Sequence, residues 1–292
     1  RLRRLTRLAV TMKTIAVLNH KGGVGKTTFC GSTAQALALI GFRVLVIDND
    51  SQHNLSSMLG VGVKNPNIRD VYIADNSTAP SQLLKSVRKT DISGLHIITS
   101  CRDLSDSDVP HNIHLKNTLQ ACNLGRFYDY LLIDNAPGID HLQASAIIAS
   151  DEIFVPTELK QFAVDGIAEM ELTLRERYPD GARITKIVPN FYKNVKRQNS
   201  FIAALSKLFP GRVTETSIPF DSVFDELVTD NKILFLHRLY SKGAACYIKL
   251  VHELFNLDEE TVWEQVKGKR DTKIKDDARK RLTVRKIDGG MS

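Results

Sequence analysis

Two lysines, three glycines and two threonines fall within the eight-residue run Lys21-Gly22-Gly23-Val24-Gly25-Lys26-Thr27-Thr28. That combination suits a polyphosphate. Glycines let the backbone turn its N–H groups inward, and a helix starting just after them offers its positive end to the same oxygens. Gly22, Gly23, Val24, Gly25 and Thr28 are therefore expected to line a cradle. Lys26 is expected to reach the β- and γ-phosphates, and the Thr27 hydroxyl to hold Mg²⁺. His20 stands where a common phosphate loop has glycine, and Lys21 adds a second lysine where one is usual.

Carboxylates follow at matching places. Val44 to Asn54 reads VLVIDNDSQHN, an apolar strand ending on Asp48 and Asp50. Alternate residues of a strand end project to the same side, so both acids can face a nucleotide. The bland alternative is that one of them only caps the strand end. Tyr128 to Pro137, YDYLLIDNAP, gives a second apolar strand ending on Asp134.

The run KGGVGKTT resembles the deviant Walker A motif of the ParA/MinD family of ATPases, and VLVIDNDSQHN is similar to the VDLDPQGN of its ParA branch. Asp48, Asp50, Gln52 and Asn54 align there, while Ser51 and His53 replace proline and glycine. The resemblance implies ATP and Mg²⁺ as cofactors, with Lys21, Lys26 and Asp50 as catalytic residues. Lys21 would cross a dimer interface to the partner's ATP, and Asp50 would sit near the attacking water. Thr27, Asp48 and Asp134 would attend the metal. Later segments extend the match over about residues 12–255: DEIFVPTELKQFAVDG, TSIP and SKGAACYIKLVHEL. By the same resemblance Asn190 and Pro219 lie at the base, although Phe220-Asp221 stand where Arg-Asn is common. A homodimer formed on ATP, non-specific DNA and a ParB-like stimulating protein are the implied partners, at a nucleoid-associated place in the cytoplasm. A MinD-like protein that reads a membrane surface is the alternative.

Repeated strand-then-helix patterns imply an α/β fold, a doubly wound, mostly parallel sheet flanked by helices. Strands are expected at 14–18, 44–48, 95–99, 130–134, 153–156, 184–189 and 217–219, and a helix over 29–40. All the acids and lysines then fall at carboxyl ends of strands, where such sheets bind ligands. The expected organisation is a basic N-terminal extension (1–11), non-native or a flexible arm, an ATPase domain (12–256) and a charged C-terminal extension (257–292).

Charge is uneven along the chain. The net charge is +7, yet residues 1–13 carry +5 and 266–292 carry +6, leaving 14–265 at −4. Within that acidic body Arg183, Lys186, Lys193, Lys196 and Arg197 form a basic stretch without an acid, interleaved with Phe191 and Tyr192. Such a stretch suits DNA phosphates, with an ordinary solvated face as the alternative. No apolar run is long enough to span a bilayer. Ile274, Ala278 and Leu282 share helical spacing, but the stripe is narrow, so membrane anchoring is not expected. The four cysteines lack metal-ligand spacing. His111 and His114, beside Pro110, read as a solvated loop.

Overall fold

The computed structural model describes residues 12–160, 162–224 and 234–288, with side chains as far as Lys275. Residues 1–11 and the side chains of Ala278 and Leu282 lie outside that description. Seven strands form one sheet: β1 (Lys13–Val17), β2 (Val44–Asn49), β3 (Val87–Lys89), β4 (Leu95–Ile98), β5 (Tyr130–Asn135), β6 (Glu152–Glu158) and β7 (Arg183–Asn190). Their order across the sheet is β3-β4-β2-β5-β1-β6-β7. All neighbours are parallel except β3 and β4.

The central strands read as near-continuous apolar runs because both faces of a parallel sheet are covered by helices. Every residue of β2 is buried, and all of β5 beyond Tyr130. A helix over Lys26–Ile40 is buried almost all round, its Phe29, Leu37 and Leu39 packing among Ile15, Val46 and Leu132. Gly41 ends it in the left-handed conformation, donating its N–H to the Ala38 and Leu37 carbonyls.

Three features depart from the sequence expectation. Residues 217–219 do not join the sheet, and Pro219 makes a lone bridge to Tyr192, having no N–H to continue a ladder. The short antiparallel edge strand β3 was not anticipated, since Val87-Arg88-Lys89 offers too few residues for a pattern. His114 is buried rather than solvated. It opens a helix, His114–Ala121, and sets its ring nitrogens against the Val71 carbonyl at 3.0 Å and Asn76 Oδ1 at 3.2 Å.

The charged C-terminal segment is a helix, Glu259–Asp288, that begins inside the folded body. Val262 and Val266 are buried in the same cluster as the Lys26–Ile40 helix, and Lys273 Nζ donates to the Asp91 carbonyl at 2.6 Å. Ile274 remains exposed. No helix among the described residues is long and apolar enough to cross a membrane.

Because the Lys26–Ile40 helix carries the cradle at its first turn, core packing and ligand binding are tied together. Leu37→Ala removes a fully buried side chain and is expected to cost about 2–5 kcal/mol. Urea denaturation should show a lowered midpoint at unchanged slope, and an unaltered midpoint would mean that this helix is not anchored as described.

Candidate nucleotide and metal site

The cradle connects the end of β1 to the buried helix. Gly25 holds φ at +86°, and a Cβ there would lie 2.3 Å from Asn190 Nδ2. Only glycine fits both constraints. Lys26 is buried, and its Nζ donates to the carbonyls of Lys21 at 3.2 Å and Asn19 at 3.4 Å, curling the loop around the ammonium. Burial lowers its pKa, opposed by Asp134 and Asp50. Lys21 points to solvent, with its Nζ 3.5 Å from Glu158 Oε2 at the end of β6.

Parallel pairing of β2 and β5 puts Asp48 directly beside Asp134, and Asn49 beside Asn135. Both acids are buried. Asp48 Oδ2 accepts from the Ser56 N–H at 2.8 Å and the Ser56 hydroxyl at 2.6 Å. Its Oδ1, and both oxygens of Asp134, lack a hydrogen-bond partner of ordinary geometry among the described residues. Thr27 lies close enough to Asp134 to favour its ionised form, but not enough to offset burial. Burial, aided by the neighbouring Asp50, pushes Asp48 up to about 7, and burial plus the Asp48 charge raises Asp134 well above the carboxylate range.

Orphan oxygens on two adjacent buried acids, with a threonine hydroxyl alongside, are the donor set of a hard divalent cation such as Mg²⁺. Among the described residues no cluster of three or more His, Cys, Asp or Glu side chains forms a further metal site. The set therefore fits a metal whose remaining ligands come from phosphate and water. Asp50, one turn of chain beyond, accepts from the Gln52 N–H at 2.9 Å.

A buried amide network braces these strand ends. Asn49 Nδ2 donates to Asn135 Oδ1 at 2.9 Å and to the Leu142 carbonyl at 3.1 Å, and the Tyr72 hydroxyl donates to Asn49 Oδ1 at 3.0 Å. Asn135 Nδ2 reaches the Val17 carbonyl of β1 at 3.2 Å. Sequence reasoning missed Ser56, Tyr72, Asn49 and Asn135. A signal was available for the last two, because β2 and β5 both end Ile-Asp-Asn.

Asn190 sits beside the cradle, and Pro219 bridges to Tyr192 two residues further on. Asn190 Nδ2 donates to the Val24 carbonyl at 2.8 Å, and its Oδ1 accepts from the Phe191 N–H at 2.8 Å. A cavity of about 660 Å³ runs from Lys21, Gly22 and Gly23 to Phe191, Lys193 and Phe220.

The five basic residues singled out for DNA do not form one patch. Arg183 starts β7, and its guanidinium donates to the carbonyls of Tyr178, Pro179 and Gly181. Lys186 is half-buried within the strand. Lys193 lies over the Phe220 ring, its Nζ 4.2 Å from the centroid. Lys196 and Arg197 are exposed on the first turn of the helix Lys196–Leu208.

Residues 12–180 match the AAA domain family. The chain is 30% identical over 262 residues to the chromosome partitioning protein ParA of Caulobacter vibrioides, covering 85% of this chain and 96% of that protein. It belongs to the ParA/MinD family of P-loop ATPases. Another relative of this family is the sporulation initiation inhibitor protein Soj of Bacillus subtilis, 27% identical, with 83% and 98% of the two chains covered. Among solved structures, the septum site-determining protein MinD of Pyrococcus horikoshii, complexed with Mg-ADP, is similar with a TM-score of 0.69 and 25% identity, over 83% of this chain and 96% of that one.

The buried acids make a prediction about the metal-free protein of this family member. Asp48 has a folded pKa raised above its unfolded value, so the folded state holds the extra proton between about pH 4 and about 7. Its contribution therefore turns unfavourable as pH rises through that window. Asp134→Asn replaces a buried acid, whose ionisation burial and the Asp48 charge both oppose, with an amide that carries no charge at any pH, and is expected to raise the melting temperature in EDTA at pH 7.5 by several degrees. A lower melting temperature for this variant would show that the acids are compensated by the protein itself.

Proposed function

We propose that this family member is a DNA-partitioning ATPase of the ParA branch: ATP joins two subunits, the dimer holds DNA without sequence preference, and a ParB-like partner stimulates hydrolysis and release. The observation that carries the reading is the convergence of Lys21, Lys26, Asp48, Asp50 and Asp134 at the carboxyl ends of three adjacent strands.

ATP lies with its triphosphate along Gly22 to Thr28, where Lys26 neutralises the β- and γ-oxygens. Thr27, Asp48 and Asp134 would hold Mg²⁺, which would supply charge stabilisation to the phosphate oxygens. Asp50 accepts a hydrogen bond from the attacking water and orients it. Lys21 has an exposed ion pair with Glu158, worth no more than about 1 kcal/mol. Its ammonium is therefore released at little cost to reach the phosphates of a facing subunit. Hydrolysis removes the charge that Lys21 had bridged, and the dimer loses its reason to persist.

Binding and chemistry separate by mutation. Lys26→Ala should abolish ATP binding in calorimetry. Asp50→Ala should retain binding and ATP-dependent dimerisation while turnover falls ten- to a hundredfold or more, roughly 1.4–2.7 kcal/mol or above. Lys21→Ala should bind nucleotide and fail to dimerise productively. Light scattering with ATP decides: a monomeric Asp50 variant, or a fully stimulated Lys21 variant, sinks these roles.

For DNA, Lys196 and Arg197 are the members of the basic stretch whose side chains face solvent together. Two phosphates neutralised per subunit give the dimer a log–log salt slope on the order of −4. The Lys196→Ala, Arg197→Ala double variant should flatten the slope. The rival is the basic tail, and a chain ending at Lys275 tests it while keeping Val262 and Val266 in the core. If truncation abolishes binding and the double variant keeps its full slope, the tail is the DNA-binding element.

A further inference from the structure

A second cavity, of about 400 Å³, opens at the carboxyl ends of β2 and β4 and shares no lining residue with the cavity beside the cradle. Open parallel sheets bind ligands at such strand ends. Its walls are the turn after β2, at His53, the connection from Val63 to Asp70, and the loop from Cys101 to Asp103 after β4. Asn67 secures the middle wall, accepting from the Arg69 N–H at 2.9 Å and donating to Asn65 Oδ1 at 2.8 Å.

The capacity these walls leave unspent is mostly that of donors. Arg69 uses only its Nε, which donates to Asp108 Oδ1 at 3.2 Å and Oδ2 at 3.1 Å, and Asp108 does not line the cavity. The Arg69 Nη1 and Nη2 groups have no hydrogen-bond partner among the described residues. Arg102 is exposed and has neither a hydrogen-bond nor an ion-pair partner among them. His53 Nδ1 is shielded from solvent and is likewise unpartnered. His53 also holds φ at +47°, a conformation glycine adopts more readily, so a large side chain is kept at this wall against a backbone cost.

Two guanidinium groups and an imidazole N–H make a receptor for an oxyanion, and the planar fork of a guanidinium matches a carboxylate. Asp70 and Asp103 line the same cavity and oppose any anion. Coulomb energy scales with the ligand's charge, so they oppose a phosphate dianion more strongly than a carboxylate. Burial raises the Cys101 thiol pKa, which keeps a further negative charge out of the wall.

Both outer walls continue into the acids of the nucleotide site. The His53 N–H donates to the Asp50 carbonyl at 2.8 Å, and the His53 carbonyl accepts from the Ser57 N–H at 3.1 Å. On the other side Ser100, next to Cys101, donates its N–H to Ser56 Oγ at 3.2 Å, and that hydroxyl donates to Asp48 Oδ2. We infer that this cavity is a carboxylate-binding site, formed by Arg69, Arg102 and His53, whose occupancy is transmitted through the His53 turn to Asp50 and raises ATP turnover. The carboxylate comes from an acidic side chain of a partner protein or from a small free acid. Binding stands without the nucleotide reading; the effect on turnover rests on it.

The experiment is an NMR titration of the nucleotide-free chain with acetate, a capped triglutamate peptide and inorganic phosphate at constant ionic strength, in wild type and in Lys26→Ala, which silences the cradle. Acetate and the peptide should shift the side-chain resonances of Arg69, Arg102 and His53 saturably in both chains. Arg102→Gln should weaken binding by about tenfold or more, as expected when hydrogen bonds to a charged group are lost. A peptide bound about tenfold tighter than acetate identifies a protein segment as the source, and equal affinity a small acid. Phosphate bound as tightly as acetate in Lys26→Ala, or wild-type affinity in Arg102→Gln, overturns the site. With the site saturated, wild-type ATP turnover should rise by about twofold or more, and Arg102→Gln should lose that response. Unchanged wild-type turnover at saturation overturns the coupling, whereas no turnover with or without carboxylate would overturn the nucleotide reading instead. Because Arg102 is exposed and unpartnered, an unchanged melting temperature checks that its variant is folded.

Discussion

The pairing of two carboxylates in register across adjacent parallel strands is the constraint on which the rest of this structure depends. Parallel neighbours stand less than 5 Å apart, so each of Asp48 and Asp134 opposes the other's ionisation within a buried layer, and neither can turn to water. Such an arrangement persists only if the surrounding sheet is stable enough to impose it. The apolar runs of β1, β2, β5 and β6 provide that stability, packed on one side by the cradle helix. The fold therefore opposes ionisation of both acids at the place where a dication would favour it.

Bracing must accompany strain, and the residue after each acid supplies it. Asn49 and Asn135 face each other one step along the ladder and close a network with Tyr72, Leu142 and Val17. A neutral amide at that step hydrogen-bonds its neighbour where a third acid would have added repulsion. Ser56 performs a related task, fixing one oxygen of Asp48 and leaving the other directed away from its own hydrogen bonds. Lys26 meets the same logic from the cationic side, since its ammonium is held by loop carbonyls that a phosphate can replace as partners.

Much of this was legible in the sequence, and the illegible parts share a cause. The cradle, the two acid-ended strands and the parallel sheet announce themselves through local spacing, because glycine freedom and strand alternation act over a few residues. The amide network does not, since Asn49 and Asn135 are 86 positions apart and acquire meaning only when β2 and β5 pair. The dispersal of the basic stretch was illegible for a related reason. Counting charge along residues 183–197 treats an eight-residue strand as though it were a point, yet β7 carries Arg183 about 23 Å from Asn190. Arg183 then closes a helix end, and Lys193 turns into the cavity. His114 was hidden by Pro110, whose loop signal masked a helix beginning four residues later.

The two ends of the cavity beside the cradle are built differently, and the difference has a physical origin. At the cradle every group is aimed: amides, an ammonium and carboxylates fixed by a buried helix and three strand ends. At the other end the amides of Phe191, Tyr192, Lys193, Ile218 and Phe220 hold two segments together, and the Phe220 ring is exposed. Buried charge is thus concentrated at the cradle and the strand ends beside it, where the triphosphate of the proposed function would lie. In the partitioning switch proposed above, whose two states differ by one phosphate, that placement puts the discriminating contacts where the states differ.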